Sequence, residues 1–140
     1  MFLILLAANE KNDVLSLRVK DFLQGVRDIS DELLVGFAVC NRIPAIYPPI
    51  AASKAVVPDF KTGINITKAL YDSLPMITRQ TKILLFSDGN FSETDFLRII
   101  NRAYAVAIGN YNYRNLLAFT KSEDRIFMPW DAAFLAGTLI

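Results

Sequence analysis

The chain reads as short apolar blocks separated by polar, glycine-bearing or proline-bearing breaks, and the blocks fall into two periods. Lys82-Ile-Leu-Leu-Phe-Ser-Asp-Gly89 is the clearest of the first kind, an apolar run of strand length that stops on a lone acid followed by glycine. Met1 to Ala8, Leu33 to Cys40 and Tyr104 to Ile108 are similar runs with little polar alternation, the pattern of strands buried on both faces. Arg125 to Met128 predicts a last short strand. Ile43 to Ile50 differs in carrying prolines at 44, 48 and 49. Proline removes a ladder donor, so this second arm of a probable hairpin belongs at a sheet edge.

Helical spacing fills the intervals. After a polar loop over Asn9 to Asp13, with Asp13 as N-cap, Leu15, Val19, Phe22, Val26 and Ile29 recur on one helical face, with Arg18, Asp21 and Arg27 between them. Thr62 to Asn65 introduces a helix whose inner side is Ile66, Leu70, Leu74 and Ile77, whereas Ala51 to Phe60 has no clear period and predicts a loop with one helical turn. Phe91 to Phe96 reads as a helix start, with Ser92 at N-cap, Asp95 three residues on and Phe91 stapled to Phe96. Tyr113, Leu116 and Leu117 suit a short helix, and Asp131 caps a last one over Ala132 to Ile140, with Trp130 stapled to Leu135. Strands and helices that alternate in this way predict an α/β, doubly wound, mostly parallel six-stranded sheet with helices on both faces, in one domain over residues 1–140.

Composition narrows the chemistry. Hydrophobic residues make up 53% of the 140-residue chain and charged residues 21%, enough apolar material for a core that needs no disulfide. The net charge of +1 comes from 15 basic and 14 acidic residues without a basic run, which argues against nucleic acid and a membrane surface as partners. Met1 to Ala8 lacks a basic leader and is short for a signal peptide, which favours a buried strand. A chain that opens directly on a strand suits a domain of a larger protein.

In open sheets of this class ligands bind at the carboxyl ends of the strands. Ala7 to Asn12, Thr62 to Asn65, Ser87 to Asn90 and Gly109 to Asn112 are therefore expected to lie near one another. No glycine-rich phosphate loop follows the first strand, no histidine is present to activate a serine, and Cys40 sits in a strand as a core residue would. A receiver-type acidic cluster is missing too, since the first loop offers only Glu10 and Asp13. These observations favour binding over catalysis.

Several blocks taken together resemble the von Willebrand factor A domain, also called the integrin I-like domain. They are Val19-Lys-Asp-Phe-Leu23, Val35-Gly-Phe-Ala-Val39, Thr62-Gly-Ile-Asn-Ile-Thr-Lys-Ala-Leu70, Lys82 to Gly89, and Ala105-Val-Ala-Ile-Gly109 followed by Leu116. The resemblance implies five parallel strands and one antiparallel edge strand, the role given above to residues 43–50. It also implies a divalent metal held by Asp-x-Ser-x-Ser after the first strand, a threonine in the loop before the next helix, and an aspartate before glycine. Here the first motif falls on Ala7, Asn9 and Lys11, or on Ala8, Glu10 and Asn12, without its aspartate in either register. Ile64, beside Asn65, takes the threonine position, and only Asp88, preceded by Ser87, survives.

The expectation is a degenerate metal site with no cofactor, where either Lys11 supplies the charge of the missing ion beside Asp88 or both residues are solvated and unpaired on their loops; the alternative is a weak Mg²⁺ or Mn²⁺ site built on Asp88, Glu10 and Asn12. Two sequons, at Asn65 and Asn90, mark possible glycosylation on the same rim, though about one is expected by chance. The reading is a non-enzymatic, adhesion- or matrix-type module that binds a protein partner, with an extracellular location slightly favoured. An intracellular structural subunit is the other option, and Tyr111 and Tyr113 are candidate contact residues.

Overall fold

The computed structural model describes residues 1–9, 13–91 and 103–140. The six strands are β1 (Phe2–Ala7), β2 (Leu34–Val39), β3 (Ala45–Ala51), β4 (Lys82–Ser87), β5 (Ala103–Ala107) and β6 (Ile126–Phe127), and they form one sheet in the order β3-β2-β1-β4-β5-β6. All pairs are parallel except β2–β3, which is antiparallel and puts the proline-bearing strand at the edge. Among the described residues four α-helices cover the sheet: α1 (Asp13–Ile29), α2 (Ile66–Ser73), α3 (Tyr113–Thr120) and α4 (Ala132–Leu139). Among the described residues no helix is long and apolar enough to cross a membrane.

β1 is the centre of the molecule. All six of its residues are buried, and it pairs with β2 on one side and β4 on the other. A strand's side chains alternate between faces, so Phe2, Ile4 and Leu6 enter the layer under α1 and α4, while Leu3, Leu5 and Ala7 enter the layer under α2 and α3. The first layer centres on Phe22 of α1, whose ring meets Phe2 edge-on at 5.1 Å and Phe86 of β4 at 6.1 Å. β5 turns Ala103, Ala105 and Ala107 towards the second layer, and Leu116 and Phe119 of α3 fill that side.

Local backbone rules explain the edge. The register between β2 and β3 shifts between Val35 and Phe37, where Gly36 stands opposite Pro48 and Pro49. Two residues facing one is a bulge, a position that tolerates proline. At the other end of the edge connection, Gly63 pairs with Ala8 in an isolated bridge, and a Cβ there would lie 2.5 Å from the Cys40 carbonyl oxygen. Only glycine lets the chain cross so close to the end of β2.

Several sequence expectations need correction. Asp13 is the first residue of α1 rather than its cap, and Ile29 is exposed at the helix end. The predicted stripe after Asn65 stops early: α2 ends at Ser73, and Leu74 to Met76 form a 3₁₀ turn in which Leu74 is exposed, because Pro75 cannot continue the α-helical hydrogen bonding. Trp130 is 67% exposed and staples nothing in the core, whereas Leu135 is buried under α4. Asp131 stands at the N-cap position of α4 as expected, but its side chain turns back from the helix, its Oδ2 accepting the Met128 N–H at 3.4 Å. The loop with one helical turn expected over Ala51 to Phe60 is present: after β3 the Ala51 carbonyl accepts the N–H groups of Lys54 at 2.8 Å and Ala55 at 3.0 Å, and the chain continues as coil as far as Asn65 except for the bridge at Gly63. The expected cap at Ser92, with Asp95 and Phe96, lies outside the described residues.

The contact between α1 and α4 supplies a test. A Cβ on Gly25 would run into the Ala133 carbonyl oxygen, whereas a Cβ on Gly137, in the same helix as Ala133, meets nothing within 4 Å. Gly25→Val is expected to lower unfolding free energy by about 2–3 kcal/mol through overpacking, and Gly137→Ala to raise it by about 0.5–1 kcal/mol through helix propensity, both read from urea denaturation midpoints.

Candidate functional site

The chain order places a topological switch between β1 and β4: the segment after β1 builds the sheet outward to β3, and the segment from β4 builds it the other way to β6. A crevice opens at such a point beyond the carboxyl ends of the strands. Asp88, the residue after β4, stands there and is only 6% exposed.

Both carboxylate oxygens of Asp88 are engaged by backbone. Oδ2 accepts the Asn9 N–H at 3.1 Å across the switch point, and Oδ1 accepts the Asn90 N–H at 3.0 Å within its own loop. The Asp88 carbonyl also accepts the Asn112 N–H at 2.8 Å. One residue therefore ties together the chain leaving β1, the β4 loop and the loop before α3. A buried charge costs least when its lone pairs are met by fixed donors. Ser87, fully buried, accepts the Gly89 N–H on its Oγ at 2.9 Å, and Gly89 has φ of +74° with Asn112 packed directly against it.

A second tie was not legible from the pattern. Asn112 caps α3, its side chain accepting the Asn115 N–H, and the Asn115 amide then donates to the carbonyls of Gly89 at 2.8 Å and Phe91 at 2.7 Å. Asn115 sits in the first turn of a helix whose apolar residues drew the reading, and its role depends on a loop 24 and 26 residues earlier. On the far side of β1, the Asn65 N–H donates to the Cys40 carbonyl at 2.9 Å. The Asn65 side chain donates to the Arg42 carbonyl at 3.1 Å and caps α2 by accepting the Lys68 N–H at 3.4 Å. The rim is thus a chain of hydrogen bonds running over the ends of β2, β1, β4 and β5.

The structure brings Asn9, Asn65, Ser87, Asp88 and Asn90 to this rim. Ile64 does not present a ligand there, since it packs partly buried against the core under α2. Glu10, Lys11 and Asn12 lie outside the described residues, so the pairing of Lys11 with Asp88 and the alternative ligand set do too. Asn90 is exposed, whereas Asn65 is half-buried with its amide nitrogen already donating. Tyr111 and Tyr113 are both partly exposed, and the Tyr111 hydroxyl reaches the Met128 sulfur at 3.7 Å.

A divalent ion fits the described residues poorly. Mg²⁺ wants six oxygens in near-octahedral array, and the described part of the rim offers one carboxylate, already accepting two N–H bonds, beside an isoleucine. Among the described residues no group of three or more His, Cys, Asp or Glu side chains is placed to hold a metal.

No protein-family model matches the sequence, and no curated protein matches it either. Solved structures do match. An aerotolerance-related membrane protein from Bacteroides fragilis aligns with a TM-score of 0.64 at 12% identity over 99% of this chain and 96% of its own. Proximal thread matrix protein 1 from the mussel byssus gives a TM-score of 0.64 at 12% identity, over 99% of this chain and 44% of that one. A von Willebrand factor type A protein from Catenulispora acidiphila gives 0.63 at 9% identity, over 99% and 41%. The chain thus spans nearly all of the first and under half of the other two. At such identities the likeness is one of fold, and the fold is that of a von Willebrand factor A domain.

Asn115→Ala removes the two side-chain N–H donors that the Gly89 and Phe91 carbonyls accept. It is expected to cost about 1–3 kcal/mol in unfolding free energy and to speed amide exchange at Asn90 and Phe91, with little change in exchange along β1.

Proposed function

We propose that this chain is a non-enzymatic interaction module of the von Willebrand factor A type, which recognises a protein partner through its strand-end rim without a divalent ion. The observation that carries the reading is the state of Asp88: its carboxylate is buried, and both oxygens are satisfied by the backbone N–H groups of Asn9 and Asn90. In a metal-dependent site that carboxylate would be needed by the ion and its waters. Here it organises the loops itself, so the rim is pre-shaped for contact, and a preformed surface loses little conformational freedom on binding.

An adhesion- or matrix-type role, outside the cell and as part of a larger protein, is the version we favour. It draws on the likeness in fold to a byssus thread matrix protein and on the exposure of Asn90, which in a secreted protein would carry a glycan at one side of the rim. The partner then meets the rim away from Asn90, towards Asn9, Asn112 and the two tyrosines.

Calorimetric titration with Mg²⁺ and with Mn²⁺ tests the metal independence. The expected result is no saturable heat and the same thermal midpoint in chelator as in excess ion. Saturable binding that Asp88→Asn and Asp88→Ala both abolish would overturn the reading and favour the ion site on Asp88, Glu10 and Asn12.

A further inference from the structure

The connection from β3 to α2 covers its part of the sheet as coil. Over β1 and β4 the first layer consists of α1 and α4. Beside them, towards β3, residues 55–65 lie as coil rather than helix, contributing Ala55, Val57 and Phe60 to the core. A helix with its side chains is about 10–12 Å wide, and an extended segment is narrower, so clefts remain on both of its sides. One, of about 300 Å³, lies between the coil and α1, with Leu23 and Val57 in its wall. The other, of about 390 Å³, lies between the coil and β3, with Phe37, Tyr47 and Ile50. Val56 borders both and is 79% exposed, a large apolar side chain on the ridge between two apolar clefts.

We propose that this double cleft is a docking site for an acidic amphipathic helix of a partner protein, one that lays two or three aliphatic side chains astride Val56 and carries carboxylates along its flank. Charge selects the occupant. The charged side chains lining the two clefts are Lys20, Arg27 and Lys54, while the carboxylates of Asp13 and Asp59 line an adjoining cleft that shares Lys20 and Val57. Arg27 spends its donors on the carbonyls of Ala52 at 2.8 Å and Ala55 at 2.6 Å, which pins the coil to α1 but leaves its positive charge in place. Neither Lys20 nor Lys54 has a carboxylate partner among the described residues, whose ion pairs are Arg18–Asp21 and Lys68–Asp72. Two unpaired ammonium groups flanking an apolar trough match the face of a helix with alternating aliphatic and acidic positions.

The edge also excludes the usual alternative. An extended peptide adding to β3 would need its N–H groups, and Pro48 and Pro49 have none, at the bulge where the strand is already irregular. Recognition therefore goes through side chains on the face of the sheet. The proposal is independent of the strand-end rim, and either surface can fail its test without the other.

The test uses the full chain and two fluorescein-labelled helical peptides of about 16 residues, with leucines at i, i+3, i+4 and i+7 and flanking positions that are all Glu in one and all Lys in the other. Fluorescence anisotropy at low salt is expected to show saturable binding of the acidic peptide, about tenfold tighter than its basic twin. Amide shifts should concentrate at Tyr47, Ile50 and Ala55 to Val57. Lys54 and Val56 are exposed, so their variants should fold as the parent does. Lys54→Glu leaves Lys20 and Arg27 in place and should reduce the preference for the acidic peptide without inverting it, and Val56→Asp should weaken the acidic one at least tenfold. Equal binding of both peptides, no saturation with either, or shifts centred on Asn9, Asn90 and Asn112 would overturn the proposal. A dimer in sedimentation that Val56→Asp dissociates would overturn it as well, by giving the clefts to a second copy of the chain.

Discussion

The burial of β1 on both faces and along both edges is the constraint from which the rest follows. A strand with all six residues inaccessible must find partners for its backbone in neighbouring strands and cover for its side chains above and below. Parallel pairing to β2 and β4 meets the first need, and parallel strands require crossovers that lay helices on the faces, which meets the second. Growth of the sheet in both directions from β1 makes the switch point unavoidable, and the loops leaving β1 and β4 must meet there. Asp88 sits where they meet, and its chemistry is set by that position.

A carboxylate in so enclosed a place has to be compensated. Backbone N–H groups from Asn9 and Asn90 do this with fixed geometry, and Asn112 and Asn115 hold the loop that presents them. The arrangement is a polar network in which the described donors and acceptors are paired, and such networks rigidify what they join. An ion at Asp88 would meet a single carboxylate whose two oxygens each already accept an N–H, and it would need further oxygens, which Ile64 does not provide. At the switch point of this sheet the loops form a hydrogen-bonded rim. Apolar side chains lie open elsewhere, over the coil beside β3, where Val56, Tyr47 and Ile50 are exposed.

Hydrophobic period and proline placement identify the regular elements where burial is symmetrical. The apolar runs at residues 1–8, 33–40 and 82–89 could only be strands of a covered sheet, and the prolines at 48 and 49 could only be at its edge. The errors cluster where one local rule was read without its competitor. Leu74 continues the apolar stripe of α2, yet Pro75 ends the helix and turns Leu74 to solvent. Trp130 has staple spacing to Leu135, yet a 3₁₀ turn over Pro129 to Asp131 precedes α4 and carries the indole outward. The segment from 55 to 65 has no period because it is neither helix nor strand, and its shape is imposed by Arg27 and by the close passage at Gly63.

The sequence by itself determined the alternation of strands and helices, the edge strand, and the delivery of an aspartate to the end of β4, because hydrophobic period and proline act over a few residues. Only the tertiary structure decided what that aspartate does. Its partners, Asn9 and Asn112, are 79 residues before it and 24 after it (88 − 9 and 112 − 88). No local pattern encodes such a meeting, since it depends on which strands become neighbours at the switch point. Asn115 makes the same point in reverse: an unremarked residue on a helix of eight becomes a clamp once α3 is placed beside the β4 loop.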